Sequence, residues 1–346
     1  MDGIDPFHRV PAPGLRHDVL GVDGVDDRGP VRSRYLPRKA PISGAPLTLP
    51  AGARTSRVLS DYVALTKPRI IFLLLITAVG SMFLAAEGRP DPLVIALVVV
   101  SGYLAAGGAN ALNHGAERDI DQRMARTRTR PVAGGRISKR QAYGFGVLLN
   151  LAAFVILAAF VNVLSGLLAV AGTLIYLFVY TKGLKRTTPQ NIVIGGAAGA
   201  VPPLVGWAAV TGTVELPAVY LFAIIFLWTP PHFWALALLI KDDYARAGIP
   251  MLPVVATLAA TKRQILVYAV VLVVFSTTFV ATGAVGWIYL VGAVALGAGF
   301  IVRAVRLVSN EGTEGARALY LFSILYLALL FGAVVTDSLA SRYLIG

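Results

Sequence analysis

The sequence predicts an all-α membrane protein of nine transmembrane helices. Three observations carry that prediction. Of 346 residues, 56% are hydrophobic and 14% charged, and the mean hydropathy is +0.72, too apolar for a soluble domain. Nine segments meet or approach the roughly 20 apolar residues that cross a bilayer as a helix. Lys and Arg collect on one side of the alternating connections, the asymmetry that orients membrane helices.

The elements follow in chain order. Residues 1–57 are rich in Pro, Gly, Arg and Asp and have no sustained apolar run, so a disordered extension is expected there. This stretch has no apolar core of a signal peptide, and the first helix is expected to be retained. Residues 58–346 form the membrane domain. Its spans are predicted at 70–86, 93–113, 143–161, 163–181, 191–211, 216–240, 265–283, 285–305 and 317–340.

Residues 1–69 carry 11 Lys and Arg, and the connections after spans two, four, six and eight carry 8, 3, 4 and 3. The other side holds only Arg89 and Arg342. The N-terminus is therefore expected in the cytoplasm and the C-terminus outside, which needs an odd number of spans. The net charge of +13 reads as a topology signal with attraction to anionic membrane lipid. Nucleic acid is excluded as a partner, because the bases are spread over membrane loops and no folded basic face gathers them. The absence of cysteine excludes disulfides, thiolate metal sites and cysteine nucleophiles.

Polar residues concentrate in three connections on the cytoplasmic side. After span two comes "NHGAERDID", in which Asn113, Glu117 and Asp121 are spaced i, i+4, i+8. A continued helix would put them on one face and turn Asp119 away, and Gly115 offers a place to unwind. Carboxylates at a helix C-terminus sit in an unfavourable field. Either a cation compensates them or they pair with Arg118, Arg123 and Arg126 as a solvated loop. Hard oxygen ligands suit Mg²⁺, which binds through one or two carboxylates plus substrate phosphates. After span six, Lys241, Asp242, Asp243 and Tyr244 precede a turn stiffened by Pro250 and Pro253. After span four come Lys182, Lys185 and Arg186, which serve either as phosphate contacts or as simple cytoplasmic anchors.

Acids that hold Mg²⁺ and bases that grip phosphate oxygens describe a diphosphate site at the membrane surface. An apolar bundle beneath it would take an apolar tail, so a lipid diphosphate is the expected substrate. Metal ligation is assigned to Asn113, Glu117, Asp121, Asp242 and Asp243. Diphosphate contacts are assigned to Arg126, Arg130, Lys182, Lys185, Arg186 and Lys241. Gly107 and Gly108 permit close helix approach. Pro202, Pro203, Pro230 and Pro231 are expected to interrupt spans five and six. His232, inside span six beside Trp228, reads either as a tetrapyrrole contact or as an interhelix hydrogen bond. His114 is expected to neighbour the site without ligating metal.

Taken together, "LTKPRI" at 65–70, N-x-x-x-E-R-D-I-D at 113–121, "RTRTRP" at 126–131, "PPHFW" at 230–234 and "KDDYARAGIPMLPVV" at 241–255 resemble the UbiA-type membrane prenyltransferases, specifically their haem-directed branch. The resemblance covers about 62–343. Two departures stand out: Glu117 replaces the usual middle aspartate of the first motif, and Asp242–Asp243 replaces the usual D-x-x-x-D of the second. The resemblance implies farnesyl transfer from farnesyl diphosphate to a vinyl group of haem b with Mg²⁺ as cofactor. Asn113, Glu117, Asp121 and Asp243 would then be catalytic, and His232, Trp228 and Tyr244 would face haem. It also implies a bacterial inner-membrane enzyme whose site faces the cytoplasm, with a downstream haem A synthase as partner. The rival readings are prenylation of a quinone precursor or chlorophyll-like ring, and a transporter. The one-sided acids and bare outer loops disfavour the transporter.

Overall fold

The computed structural model describes residues 51–345, with side chains described over 56–341. Most of the predicted extension lies outside those residues. Its last part does not: residues 51–57, assigned to the extension by composition, begin helix α1 (Ala51–Thr66).

The remaining helices are α2 (Pro68–Ala85), α3 (Pro92–Ala116), α4 (Arg118–Arg123), α5 (Lys139–Phe160), α6 (Val163–Leu174), α7 (Asn191–Ala200), α8 (Pro202–Thr211), α9 (Leu216–Leu239), α10 (Lys241–Arg246), α11 (Leu252–Val255), α12 (Leu258–Thr278), α13 (Trp287–Ser309) and α14 (Ala316–Ile345). A π-helix (Ile175–Leu184) prolongs α6. Among the described residues, nine helical stretches are long and apolar enough to cross a membrane. The protein is an integral membrane protein of helical bundle architecture.

Local chemistry sets the helix starts. Asp91 accepts the Leu93 N–H at 2.7 Å and caps α3. Ser138 and Gln141 form a reciprocal capping box on α5. Asn162 caps α6 through the Ser165 N–H at 2.9 Å, and Thr257 caps α12 through Ala260. The Thr257 cap starts span seven at Leu258, where the apolar pattern alone places the start at 265.

The two proline pairs behave differently. Pro202 and Pro203 separate α7 from α8, as expected. Pro230 and Pro231 do not interrupt span six, because α9 runs through them. The flanking residues clamp that stretch: Thr229 Oγ1 donates to the Ile225 carbonyl at 2.8 Å, and Trp228 Nε1 donates to the Ser323 carbonyl of α14 at 2.7 Å. Membrane helices tolerate proline where neighbours supply such support.

Small residues bring α3 and α5 together. A Cβ added to Gly146 would lie 2.8 Å from the Gly108 carbonyl oxygen. Thr173 of α6 donates to Asn150 of α5 at 2.7 Å. The largest apolar cluster joins α9, α12, α13 and α14 around Ile224, Leu272, Phe300 and Tyr326.

Candidate active site

Three connections far apart in sequence converge at one end of the bundle. The helix that carries Asn113 ends at Ala116, and Glu117 sits at the break before α4. The unwinding expected at Gly115 thus falls two residues later. The i, i+4, i+8 pattern survives it, because Glu117 N–H donates to the Asn113 carbonyl at 2.9 Å and Asp121 N–H to the Glu117 carbonyl at 2.8 Å.

Glu117 is buried and fully engaged. Its Oε2 accepts from Asn113 Nδ2 at 3.0 Å, and its Oε1 accepts from Lys185 Nζ at 2.5 Å. Asn113 Oδ1 in turn accepts from Thr181 Oγ1 at 2.8 Å. Burial opposes ionisation of Glu117, but the adjacent Lys185 charge and hydrogen bond outweigh it and hold the carboxyl below its ordinary range. Burial likewise opposes charging Lys185, and Glu117 more than compensates, raising the ammonium.

The π-helix delivers Lys185. Its wide turn is marked by the Lys185 N–H donating to the Tyr180 carbonyl at 2.8 Å, an i to i+5 bond of the kind that collects at functional sites. Lys185 Nζ lies 5.6 Å from the Tyr180 ring centroid, and Tyr180 stacks on Tyr176. The same winding turns Lys182 elsewhere. Lys182 is exposed and sits 4.7 Å over the Phe178 ring, so it is not part of the cluster as expected.

Asp121, also buried, pairs with Arg130 at 2.8 Å through Oδ1. Its Oδ2 is buried and has no hydrogen-bond partner. His114 Nδ1 lies 3.9 Å from it. Both His114 ring nitrogens also lack partners. Asp243 accepts from Arg246 Nη2 and from the backbone N–H groups of Ala125 and Arg126 at 3.3 and 3.4 Å. Burial resists its ionisation, and those donors still lower its carboxyl. Asp243 therefore ties the loop after α9 to the loop after α4. Arg126 contributes a backbone donor here, and its side chain is exposed.

Asp119 pairs bidentately with Arg186 at 2.8 and 2.9 Å, with side chains 44% and 41% exposed. It faces away from Glu117, as the spacing requires, and its partner is Arg186 instead of a neighbouring arginine. Lys241 and Asp242 are exposed and stand outside these pairs. Tyr244 is buried with Ile120, Met124 and Ile192. His232 stacks on Trp228 at 4.2 Å, and its Nδ1 bonds Ser323 Oγ of α14 at 2.7 Å. The interhelix hydrogen bond read for His232 is present.

The pattern of motifs missed one residue. Lys67, the N-cap of α2, adopts φ 54° and ψ 61°, a left-handed conformation rare outside glycine. Burial, then Arg130, depress its ammonium to about 7, against the opposing pull of Glu117. Its signal in the sequence is only the Lys-Pro pair of "LTKPRI".

The donor set suits a hard cation only in company with phosphate. Among the described residues no group of three or more His, Asp or Glu could hold a metal alone. Every carboxylate here except exposed Asp242 carries a basic partner. The orphaned, buried Asp121 Oδ2 is an acceptor of the type Mg²⁺ takes, with waters and phosphate oxygens completing its shell. What the site can do is exchange: a diphosphate can take over Lys185 and Arg130, and a cation can take over the acids they leave.

Residues 73–330 match the UbiA prenyltransferase family. A protohaem IX farnesyltransferase of Gloeobacter violaceus is 53% identical over 288 residues, covering 83% of this chain and 94% of that one. One of Chloroflexus aurantiacus is 51% identical over 307 residues, covering 87% of this chain and 52% of that protein, so the chain spans about half the length of that relative. Among solved structures, a digeranylgeranylglyceryl phosphate synthase superposes with a TM-score of 0.68 at 20% identity, covering 82% of this chain and 99% of that one. A UbiA homolog from Archaeoglobus fulgidus bound to GPP and Mg²⁺ gives 0.55 at 14% identity, covering 79% and 99%. These structures share the fold.

Proposed function

The chain belongs to the UbiA prenyltransferase family, and from that premise we propose that it is a protohaem IX farnesyltransferase, joining the farnesyl group of farnesyl diphosphate to a vinyl group of haem b. The supporting observation is the one-ended cluster Asn113–Glu117–Lys185 with Asp121–Arg130, set on a helix bundle whose relatives at about half identity carry that activity. Mg²⁺ would be held by Asn113, Glu117, Asp121 and Asp243 together with the diphosphate, and would supply neutralising charge there. The site is read as cytoplasmic, in a bacterial inner membrane, because the basic connections surround it. The product would pass to a haem A synthase.

The residues then divide the work. Lys185, Arg130 and Arg186 exchange their carboxylate partners for diphosphate oxygens, and Lys241 adds a further positive charge at the rim. The carbon–oxygen bond of farnesyl diphosphate breaks with its electron pair leaving on the diphosphate. Those bases stabilise the developing anion in a low-dielectric setting. The apolar helices shield the allylic cation from water. The haem vinyl carbon attacks it, water adds to the cation so formed, and one proton is released, giving a hydroxyethylfarnesyl side chain. Trp228, His232 and Tyr244 are assigned the haem side, with Ser323 fixing the His232 ring.

The test supplies the purified protein with farnesyl diphosphate, Mg²⁺ and haem b and looks for the haem O mass with stoichiometric diphosphate. Prenylation of 4-hydroxybenzoate with haem left unchanged would overturn the reading.

A further inference from the structure

One face of α3 runs from a backbone clamp to the acid cluster. Tyr103, Gly107, Asn110, His114 and Glu117 follow one another at steps of three and four, so they share that face. Its first members hold the junction of α1 and α2. The Tyr103 hydroxyl meets Thr66 Oγ1 at 3.0 Å. A Cβ on Gly107 would come within 3.1 Å of the Thr66 side chain. Asn110, buried, donates its Nδ2 to the Thr66 carbonyl at 2.9 Å. That bond lies on the peptide that enters Lys67.

Lys67 is held on both sides. Asn110 fixes its incoming peptide, and Pro68 restricts its outgoing one. Between them its backbone is left-handed, a strain that persists only where the surroundings impose it. Glu117 lies seven residues beyond Asn110, roughly 10 Å along the helix. A lysine stem starting one residue past Thr66 covers most of that distance.

The charge inventory leaves Lys67 over. Glu117 is taken by Lys185 and Asp121 by Arg130, and Asp119 and Asp243 are taken by Arg186 and Arg246. Lys67 has no ion pair among the described residues, although Arg130, Glu117, Lys185 and Asp121 all act on its charge. A half-buried cation beside two neutralised pairs is an open seat for an anion.

Resting on the reading of this site as a prenyl diphosphate site, we infer that Lys67 is a further diphosphate-binding residue and that Asn110 is the positioning residue that aims it. Lys67 need not surrender a carboxylate to meet a phosphate oxygen, so it engages the ligand before Lys185 and Arg130 exchange theirs. The cost of its charge, set by burial and by Arg130, is relieved when the anion arrives.

The experiment titrates the full chain in lipid nanodiscs with the unreactive analogue farnesyl thiodiphosphate and, separately, with inorganic diphosphate. Loss of a charge-assisted contact predicts that Lys67→Met weakens both ligands by about 10- to 100-fold. Lys67→Arg restores most of the affinity. Asn110→Ala weakens binding by about 10-fold in the native background and adds nothing in the Lys67→Met background, as a residue acting only through Lys67 must. Binding within twofold of wild type in Lys67→Met overturns the inference and leaves the parent reading intact. A wild-type chain that binds neither ligand overturns the parent reading and this inference together. Should Lys67→Met lose its unfolding transition, Asn110→Ala decides, and unchanged affinity in that folded variant overturns the inference equally.

Discussion

Replacing Glu117 by aspartate removes one methylene and draws the carboxylate back by roughly 1.5 Å. The Lys185 contact, 2.5 Å in the native chain, opens to roughly 4 Å, and the Asn113 contact, 3.0 Å, to roughly 4.5 Å. Neither remains a hydrogen bond. Both partners are buried, with Glu117 2% and Lys185 12% exposed, so water does not replace what is lost. A charged hydrogen bond contributes about 1.5–3 kcal/mol. The lysine stem can follow the carboxylate and recover one of the two, leaving a net destabilisation of about 2 kcal/mol. Thermal unfolding in detergent should show a drop of several degrees. The rate of diphosphate release should fall by at least about tenfold, because a Lys185 drawn after the shorter acid leaves its station for phosphate. The sign of the pH dependence is set as well. The Glu117 carboxyl is depressed in the folded chain, so its contribution is complete above the unfolded value of about 4.3 and disappears as pH falls through the lower folded value. The gap between native and Glu117→Asp proteins should hold at about pH 7 and close below about pH 4. An aspartate variant with native midpoint and native diphosphate release at neutral pH would refute the reasoning, since it would mean the backbone at the Ala116–Arg118 break absorbs the missing length.

Four further outcomes follow from the same geometry. Asp121→Asn keeps shape but removes the charge that Arg130 answers, and diphosphate release should fall about 100- to 1,000-fold, measured by a coupled phosphate assay. Arg186→Gln breaks an exposed pair and should change stability by less than about 1 kcal/mol, a difference that vanishes in high salt. His232→Ala and Ser323→Ala should each lower the unfolding midpoint by an amount equivalent to about 1 kcal/mol, and the double variant should lose no more than the larger single loss, because one hydrogen bond joins them. Asp337 on α14 accepts from the N–H groups of Gly286 at 2.6 Å and Tyr289 at 3.1 Å, so Asp337→Ala should destabilise the start of α13 by about 1–2 kcal/mol while leaving the KM for farnesyl diphosphate unchanged.

The nine spans found among the described residues, the starts of all but the seventh within about four residues, and the one end at which acids and bases gather are legible in the sequence. Hydropathy and charge act locally: a run of about 20 apolar residues must leave water wherever the rest of the chain goes, and a basic loop resists translocation whatever its neighbours. The i, i+4 tie of Asn113 to Glu117 is of the same kind, one helix turn deep. Pairing is not local. Glu117 and Lys185 stand 68 residues apart, and the choice of Lys185 over Lys182 depends on a π-turn that no periodicity announces. Arg126 approaches Asp243 with its backbone because of how two loops cross, and Pro230–Pro231 stays helical because α14 supports it. Lys67 became visible only when Asn110, on another helix, was seen holding the peptide before it. Composition decides which groups a membrane chain brings to its surface. The rotation and contact of its helices decide which of those groups meet, because a side chain's partner is set by distances across the bundle and not by spacing along the chain.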